Sequence, residues 1–230
     1  MIRKLLHLIK KLVILFFLFS ILSVIVLRYV PVYFTPLMGI RMIEQIREKK
    51  SPMLIHTWVG FDDISENLKL AVIASEDQLF YEHKGFDEKQ IRKAIEESKK
   101  GKRRRGASTI SQQTAKNVFL WPRSSWFRKG LETYFTMLIE IFWSKDRILH
   151  VYLNSIEMGD GVYGAEAVAQ HHFSGSASRL TKEQSALIAA TLPNPLHFNS
   201  RNPSPYMYKR QTHILRQMRN VRLPGKKAGK

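Results

Sequence analysis

The sequence of 230 residues contains no cysteine, which excludes disulfide bonds and thiolate metal sites. Acidic residues are also scarce, with 19 Asp and Glu against 37 Lys and Arg, and the formal net charge is +18. A surplus of this size indicates an anionic partner, such as nucleic acid, anionic lipid or a phosphate-bearing substrate. The length accommodates one domain with a substantial core and is too short for two large ones.

Alternating apolar and polar runs, which are typical of strands, are almost absent, and no internal repeat is present. From residue 65 onward the apolar residues recur at helical spacing instead. Capping-box patterns at Asp87 with Gln90 and at Thr181 with Gln184 predict the starts of two of these helices. The predicted fold class is therefore all-α, or mainly α.

One long hydrophobic run lies near the N-terminus. Residues 12–27 carry no charge, follow Lys10 and Lys11, and precede Arg28 and Tyr29. The run is slightly shorter than the roughly 20 residues of a spanning helix, but snorkelling lysines and interfacial tyrosines extend its reach. A cleaved signal peptide is the alternative, although no small-x-small cleavage site follows the run. The sequence favours a single uncleaved transmembrane helix.

The basic residues before this helix predict a cytoplasmic N-terminus, with everything after residue 35 outside the cytoplasm. A role in nucleic-acid binding is then set aside, and an anionic membrane lipid or lipid-linked substrate becomes the expected partner. We predict a cytoplasmic stub and anchor at residues 1–35, a juxtamembrane segment at 36–64 and the main domain at 65–225. A short polar helix is expected at residues 41–50.

The first segment that suggests chemistry is residues 76–87, EDQLFYEHKGFD. Glu76 ends an apolar helical face, and a carboxylate beside residues such as Val72 and Ile73 is suited to act as a general base. The structural alternative is a helix-end carboxylate with an ordinary surface histidine at His83. The complete spacing is much more specific than any one acid, which favours a functional site.

A second polar segment, residues 106–117 (GASTISQQTAKN), follows the basic run at residues 99–105. Adjacent glutamines on a helix point to different faces, so one of Gln112 and Gln113 is expected to be partly buried with hydrogen-bond partners. The hydroxyls, the amides and the Lys116 ammonium together suit a sugar pyrophosphate. About half of the charge in the basic run is expected to belong to a solvated loop.

Three later segments complete the set: RKGLE at residues 128–132, KDRILHVYLN at 145–154 and ALIAATLPN at 186–194. The first is weak alone, because charge pairs at this spacing commonly stabilise helices. Tyr152 is expected to be a core residue. The glycine-rich turn at residues 157–164 is expected to serve backbone geometry rather than chemistry.

In this order the five segments resemble the motifs of the peptidoglycan glycosyltransferases, glycosyltransferase family 51, over roughly residues 53–200. The resemblance implies a lysozyme-like domain that polymerises lipid II into β-1,4 glycan strands, with inversion at MurNAc C1 and release of undecaprenyl pyrophosphate. The chain departs from the family at His150, where many relatives have Glu, and at Arg123, one position before their arginine. No Ser-x-x-Lys occurs, so no penicillin-binding transpeptidase module is expected.

The resemblance also implies roles for residues. Glu76 takes the proton from the attacking sugar hydroxyl, and Glu132 is the second acid of the cleft, with room for a divalent cation (Mg or Mn) near it and no organic cofactor. The residues implied around the substrate are Asp77, Phe80, His83, Ser108, Thr109, Gln112, Gln113, Lys116, Asn117, Arg123, Arg128 and Lys129. The implied partners are lipid II, the growing glycan strand, the cytoplasmic membrane, and cell-wall synthases and division proteins.

Two alternatives remain open at this point. A lytic, lysozyme-like enzyme would place a carboxylic acid on the glycosidic oxygen of peptidoglycan, but its leaving group is a neutral sugar and needs no cations. A non-catalytic, membrane-anchored lipid or cell-wall binding protein would explain the charge and the anchor. It would not explain Glu76 and Glu132 within ordered motifs.

Overall fold

The computed structural model describes residues 2–101 and 108–224. Most of the basic run (102–105), the first two residues of the second motif (106–107) and the basic tail (226–230) lie outside the described residues. The α-helices are α1 Ile2–Leu27, α2 Pro36–Arg47, α3 Glu66–Glu76, α4 Glu88–Lys99, α5 Ile110–Phe119, α6 Trp126–Phe142, α7 Lys145–Ser155, α8 Ala165–Phe173, α9 Lys182–Thr191 and α10 Pro205–Gln217. Short 3-10 turns cover Ala177–Arg179 and Met218–Asn220.

The mainly helical fold class is confirmed, and local sequence signals start several helices. Asp87 Oδ1 accepts a hydrogen bond from Gln90 N at 2.9 Å, as the capping pattern predicts for α4. The predicted box at the start of α9 is also present, with Gln184 N donating to Thr181 Oγ1 at 3.2 Å and Thr181 N donating to Gln184 Oε1 at 3.0 Å.

A three-stranded sheet was not predicted from the sequence. Its strands are β1 Ile55–His56, β2 Glu157–Gly159 and β3 Val162–Tyr163, in the order β1-β3-β2. The strand β1 runs parallel to β3, and β2 pairs with β3 antiparallel. Strands of two or three residues are too short to show an alternating pattern, which is why sequence periodicity missed them.

The segment at residues 36–64 packs into the domain. The helix α2 begins at Pro36, five residues before the predicted start, because Thr35 caps it by accepting a bond from Met38 N at 3.3 Å. Leu37 and Met38 are buried, and β1 pairs with the main sheet. The predicted juxtamembrane segment therefore contributes to the folded unit.

The core joins two groups of helices and fixes the place where they meet. On one side α3 packs against α9 and α10, and on the other α5 packs against α6 and α7. Phe80, Ile110 and Tyr152 are fully buried in the hydrophobic core that both groups share. Ile110 N, at the start of α5, donates to the Asp77 carboxylate just after α3 at 3.0 Å. The end of α3 is thereby held against the start of α5.

The helix α1 is long and apolar enough to cross a membrane, a property that an anchor and a signal sequence share. Its final turns pack on the domain, where Ser20 and Val24 are buried. Trp143 Nε1 donates to Val24 O at 2.7 Å, and Arg147 NH2 donates to Leu27 O at 2.6 Å. The end of α1 is thus bonded to the α6–α7 region.

Candidate active site

Glu76, the last residue of α3, is only partly exposed, and each of its carboxylate oxygens has a neutral donor. Ser75 Oγ donates to Oε1 at 3.2 Å, and Gln113 Nε2 donates to Oε2 at 3.0 Å. Gln113 in turn accepts from the Tyr152 hydroxyl at 2.9 Å. No cation bonds to Glu76 among the described residues, and a carboxylate that is oriented by neutral donors has the geometry of a proton acceptor.

Asp77 and His83, predicted around the substrate, bond to each other; Asp77 is buried and His83 is partly exposed. His83 Nε2 lies 2.9 and 3.0 Å from the two Asp77 oxygens, and His83 Nδ1 accepts from Gly85 N at 3.1 Å, so Nε2 carries the proton. Phe80 is also fully buried. These three residues form the wall that joins α3 to α5, and their contact with substrate stays a prediction.

Thr109 and Gln112 form the capping box of α5. Gln112 N donates to Thr109 Oγ1 at 3.2 Å, and Thr109 N donates to Gln112 Oε1 at 3.1 Å. The Thr109 hydroxyl also donates to Gly85 O at 2.6 Å. Both residues are buried and cap α5, and their predicted substrate contacts stay predictions. Ser108 and Arg123 are exposed, and their roles stay predictions.

The other side of α5 faces a cleft of about 240 Å³. The cleft is lined by residues from α2, α5, β2 and the turn after α9, among them Arg41, Gln113, Lys116, Asn117, Trp121, Glu157 and Pro193. The Asn117 side chain is 2% exposed, and its Nδ2 has no hydrogen-bond partner among the described residues. A buried amide without a partner at a cleft wall is a ready donor for a ligand.

Sequence reasoning missed two charged residues of this cleft, Arg41 and Glu157. Arg41 Nε lies 3.3 Å from Glu157 Oε2, and the Tyr163 hydroxyl donates to Glu157 Oε1 at 3.1 Å. Burial raises the pKa of Glu157, and the positive charge of Arg41 opposes that rise. The sequence predicts only a structural turn at Glu157. Arg41 lies 116 residues away along the chain, so no local pattern signals the pair.

A cluster of cations surrounds Glu132 on α6. Arg128 NH1 donates to Glu132 Oε2 at 2.6 Å, and Lys129 Nζ bonds to Glu132 Oε1. Lys116 lies close enough that all three groups affect it: burial lowers the pKa of Lys116, Arg128 and Lys129 lower it further, and Glu132 opposes them. Three cations and one carboxylate leave a local surplus of positive charge, which suits an anionic ligand.

The surroundings of Glu132 do not fit the divalent cation that the resemblance allowed there. Both of its oxygens already bond to cations. Within residues 2–101 and 108–224, no group of three or more His, Asp or Glu side chains could hold a metal ion. A divalent cation near Glu132 is thus supported by the resemblance alone.

His150, which stands where many relatives have Glu, packs under the loop before α3. Its Nε2 lies 2.8 Å from Val59 O, and its ring centroid is 4.9 Å from that of Trp58. Asn154, one turn later, accepts from Val59 N at 2.9 Å. Burial lowers the pKa of His150, which favours the neutral ring. The departure from the family thus falls at a packing position.

Comparisons with known proteins match most of the chain. A family model described as transglycosylase matches residues 42–219. The biosynthetic peptidoglycan transglycosylase of Bacteroides thetaiotaomicron is 60% identical over 96% of this chain and 89% of that relative. Proteins of the same name from Stutzerimonas stutzeri and Bdellovibrio bacteriovorus are 48% and 50% identical, over 96% and 91% of this chain and 91% and 84% of the relatives.

Proposed function

The chain belongs to the transglycosylase family, and from this premise we propose how it acts as a peptidoglycan glycosyltransferase that polymerises lipid II into glycan strands. The observation that carries the proposal is the contrast between the two acids of the site. Glu76 accepts hydrogen bonds from neutral donors, whereas Glu132 lies among cations. One acid is thus arranged to accept a proton, and the other holds charges that can stabilise a leaving group.

Glu76 acts as the general base. Its carboxylate takes the proton from the 4-hydroxyl of the acceptor GlcNAc, while that oxygen attacks C1 of the donor MurNAc. The bond from C1 to the pyrophosphate oxygen breaks on the opposite face, so the anomeric centre inverts and a β-1,4 bond forms. Ser75 and Gln113 keep the carboxylate oriented during the transfer because each donates to one of its oxygens.

The leaving undecaprenyl pyrophosphate gathers negative charge, and Lys116, Arg128 and Lys129 stabilise it. Lys116 lines the cleft and lies within the electrostatic influence of the other two. Burial and the neighbouring cations disfavour the charged form of Lys116, and a bound pyrophosphate would stabilise that charge. Fixed charges of this kind contribute on the order of a hundredfold to a thousandfold each in rate.

Glu132 acts through the cations. Its two oxygens hold Arg128 and Lys129 in place, and both Arg128 and Glu132 are buried. Arg128 Nε has no hydrogen-bond partner among the described residues, so the guanidinium keeps a buried donor to spare. Glu132 therefore orients the charges that meet the leaving group, without a need for the carboxylate to transfer a proton.

For localisation, α1 is the single-pass anchor, with its N-terminus in the cytoplasm and the catalytic domain on the outer face of the cytoplasmic membrane. The support is its apolar length together with the basic residues that precede residue 12. This placement brings the cleft to the side of the membrane where a lipid-linked donor is consumed. Cell-wall synthases and division proteins remain predicted partners.

The decisive experiment compares purified full-length wild type with Glu76→Gln on labelled lipid II in detergent, with products separated by size. We expect polymer from the wild type and a loss of at least about a hundredfold in the variant, since general bases contribute that much or more. Glu82→Gln is the matched control, because Glu82 lies in the same motif but is exposed, and it should retain activity.

If the wild type makes no polymer, the same samples should be given intact peptidoglycan. Soluble fragments would establish the lytic alternative. If no fragments form either, the remaining alternative is a non-catalytic binding protein. Full activity of Glu76→Gln would contradict the assignment of the base.

A further inference from the structure

A chain of hydrogen bonds leads from the core to the proposed base. The Tyr152 hydroxyl on α7 donates to Gln113 Oε1 at 2.9 Å, and Gln113 Nε2 donates to Glu76 Oε2 at 3.0 Å. The sequence assigns Tyr152 to the core, and the side chain is indeed fully buried. Packing explains the ring but not the hydroxyl, since phenylalanine would fill nearly the same space without a polar atom to satisfy.

We propose that Tyr152 is a positioning residue for glycosyl transfer, whose hydroxyl fixes the Gln113 amide so that its N–H faces Glu76. The proposal rests on the role of Glu76 as the base. It gives a function to a residue of the fourth motif that sequence reasoning treated as packing. Tyr152 itself touches Gln113 and is not a catalytic residue.

The two ends of the Gln113 amide differ in what they can offer to a carboxylate. Gln113 can present either its oxygen or its NH2 group to Glu76, and only the NH2 group can donate to a carboxylate. With the Tyr152 hydroxyl donating to Oε1, both ends of the amide have the correct partner. In the opposite orientation the amide oxygen would face the carboxylate oxygen and repel it.

Tyr152 is a dependable donor because it stays protonated. Burial raises the pKa of its hydroxyl well above the ordinary range, and the negative charges of Glu76 and Asp77 raise it further. The hydroxyl therefore keeps its proton at neutral pH. Without it, Gln113 Oε1 would lose its buried donor, and the partly exposed amide would be free to turn toward the cleft that it lines.

A second set of contacts limits the expected effect. Ser75 Oγ donates to the other oxygen of Glu76 at 3.2 Å, and Arg210 NH2 on α10 lies 3.4 Å from that hydroxyl. Loss of the Tyr152 hydroxyl would loosen one oxygen of the carboxylate while the other stays bonded. We therefore expect reduced turnover rather than its abolition.

The test is Tyr152→Phe in the full-length protein, assayed on lipid II, with kcat expressed per folded protein. We expect kcat to fall on the order of tenfold while KM changes less than about twofold, because orientation of the base affects the chemical step more than binding. Ser155→Ala is the control: Ser155 is also buried on α7, but its hydroxyl bonds to Val151 O within the helix. This control should keep the kcat of the wild type.

A double-mutant cycle separates positioning from general damage. If Tyr152 acts through the amide, Tyr152→Phe should lower kcat little further in a Gln113→Met background. Independent, multiplicative losses would overturn the proposal, and so would a wild-type kcat for Tyr152→Phe. Should Tyr152→Phe fold poorly, Gln113→Met alone still tests the chain of bonds, since a wild-type kcat there would also overturn it.

The controls keep this proposal distinct from the proposed function. If the wild type polymerises lipid II and Glu76→Gln does not, the function stands whatever Tyr152→Phe does. If the wild type makes no polymer, both proposals fall together.

Discussion

The two acids of the site are the same kind of side chain in opposite surroundings. Glu76 is partly exposed and takes its hydrogen bonds from a serine hydroxyl and the amide of Gln113. Glu132 is 3% exposed and bonds to Arg128 and Lys129. The comparison teaches that neighbours, and not residue type, decide whether a carboxylate reacts or organises charge.

Exchanging Glu132 for glutamine should sharpen this comparison most. Its loss leaves Arg128 buried without a counter-charge, so we expect a fall of about 3 kcal/mol in the free energy of unfolding together with a loss of about a hundredfold or more in kcat. Glu76→Gln should lose activity with little change in stability. Thermal and denaturant unfolding beside the polymerisation assay would measure both, and equal stability losses in the two variants would break the comparison.

Lys116→Met tests the cationic side without removing an acid. Methionine keeps much of the apolar length of the side chain but removes the charge that faces the cleft. We expect kcat/KM for lipid II to fall by about a hundredfold, because one fixed charge no longer meets the leaving group. Stability should hold or rise, since the ammonium is desolvated in the free protein. A variant with normal kcat/KM would remove Lys116 from the proposed mechanism.

Asp77→Asn tests the hydrogen bonds that hold the end of α3, next to Glu76, against the start of α5. Asp77 accepts from His83 and from Ile110 N, and an asparagine oxygen can keep only part of this set. We expect a loss of about 2 kcal/mol in the free energy of unfolding and on the order of a tenfold fall in kcat through displacement of Glu76. A rise in KM for lipid II alone, with an unchanged free energy of unfolding, would indicate direct substrate contact instead.

The smallest effect concerns alkaline pH. Because burial lowers the pKa of Lys116, its ammonium loses the proton at a lower pH than a free lysine does, and activity should decline as pH rises through that range. In Lys116→Arg the guanidinium stays charged, so the alkaline decline should move to higher pH. Profiles of kcat/KM between about pH 7 and pH 10 would test this, and identical alkaline limbs would exclude Lys116 as the titrating group.

Much of the fold and part of the site follow from the sequence, because their signals are local. Helical periodicity and capping patterns predict most helices, and the ordered motifs point to Glu76, Lys116 and Glu132. The motifs could not separate binding hydroxyls from structural ones: Thr109 reads the same in a sequence whether it caps α5 or contacts a substrate. Its capping partner three residues on was the signal that could have decided this.

The missed part of the site depends on contacts between distant segments. Arg41 meets Glu157 from a helix for which the sequence predicts only a polar character, and the Tyr152 hydroxyl reaches Glu76 through Gln113. Neither arrangement leaves a periodic or spaced pattern in the chain. Such contacts are decided by how helices pack, which a single sequence does not display.

The bonds from Trp143 and Arg147 to the end of α1 bear on how the enzyme meets its substrate. A domain joined to α1 by a flexible linker would rotate above the bilayer. Only some of its orientations would expose the cleft to a donor that is confined to the membrane surface. Hydrogen bonds that fix the domain to the end of α1 limit this rotation before a donor binds. With α1 spanning the membrane as proposed, the cleft would keep one orientation relative to the bilayer. The rate of donor binding would then depend on how often donor molecules collide with the cleft, and not on the orientation of the domain.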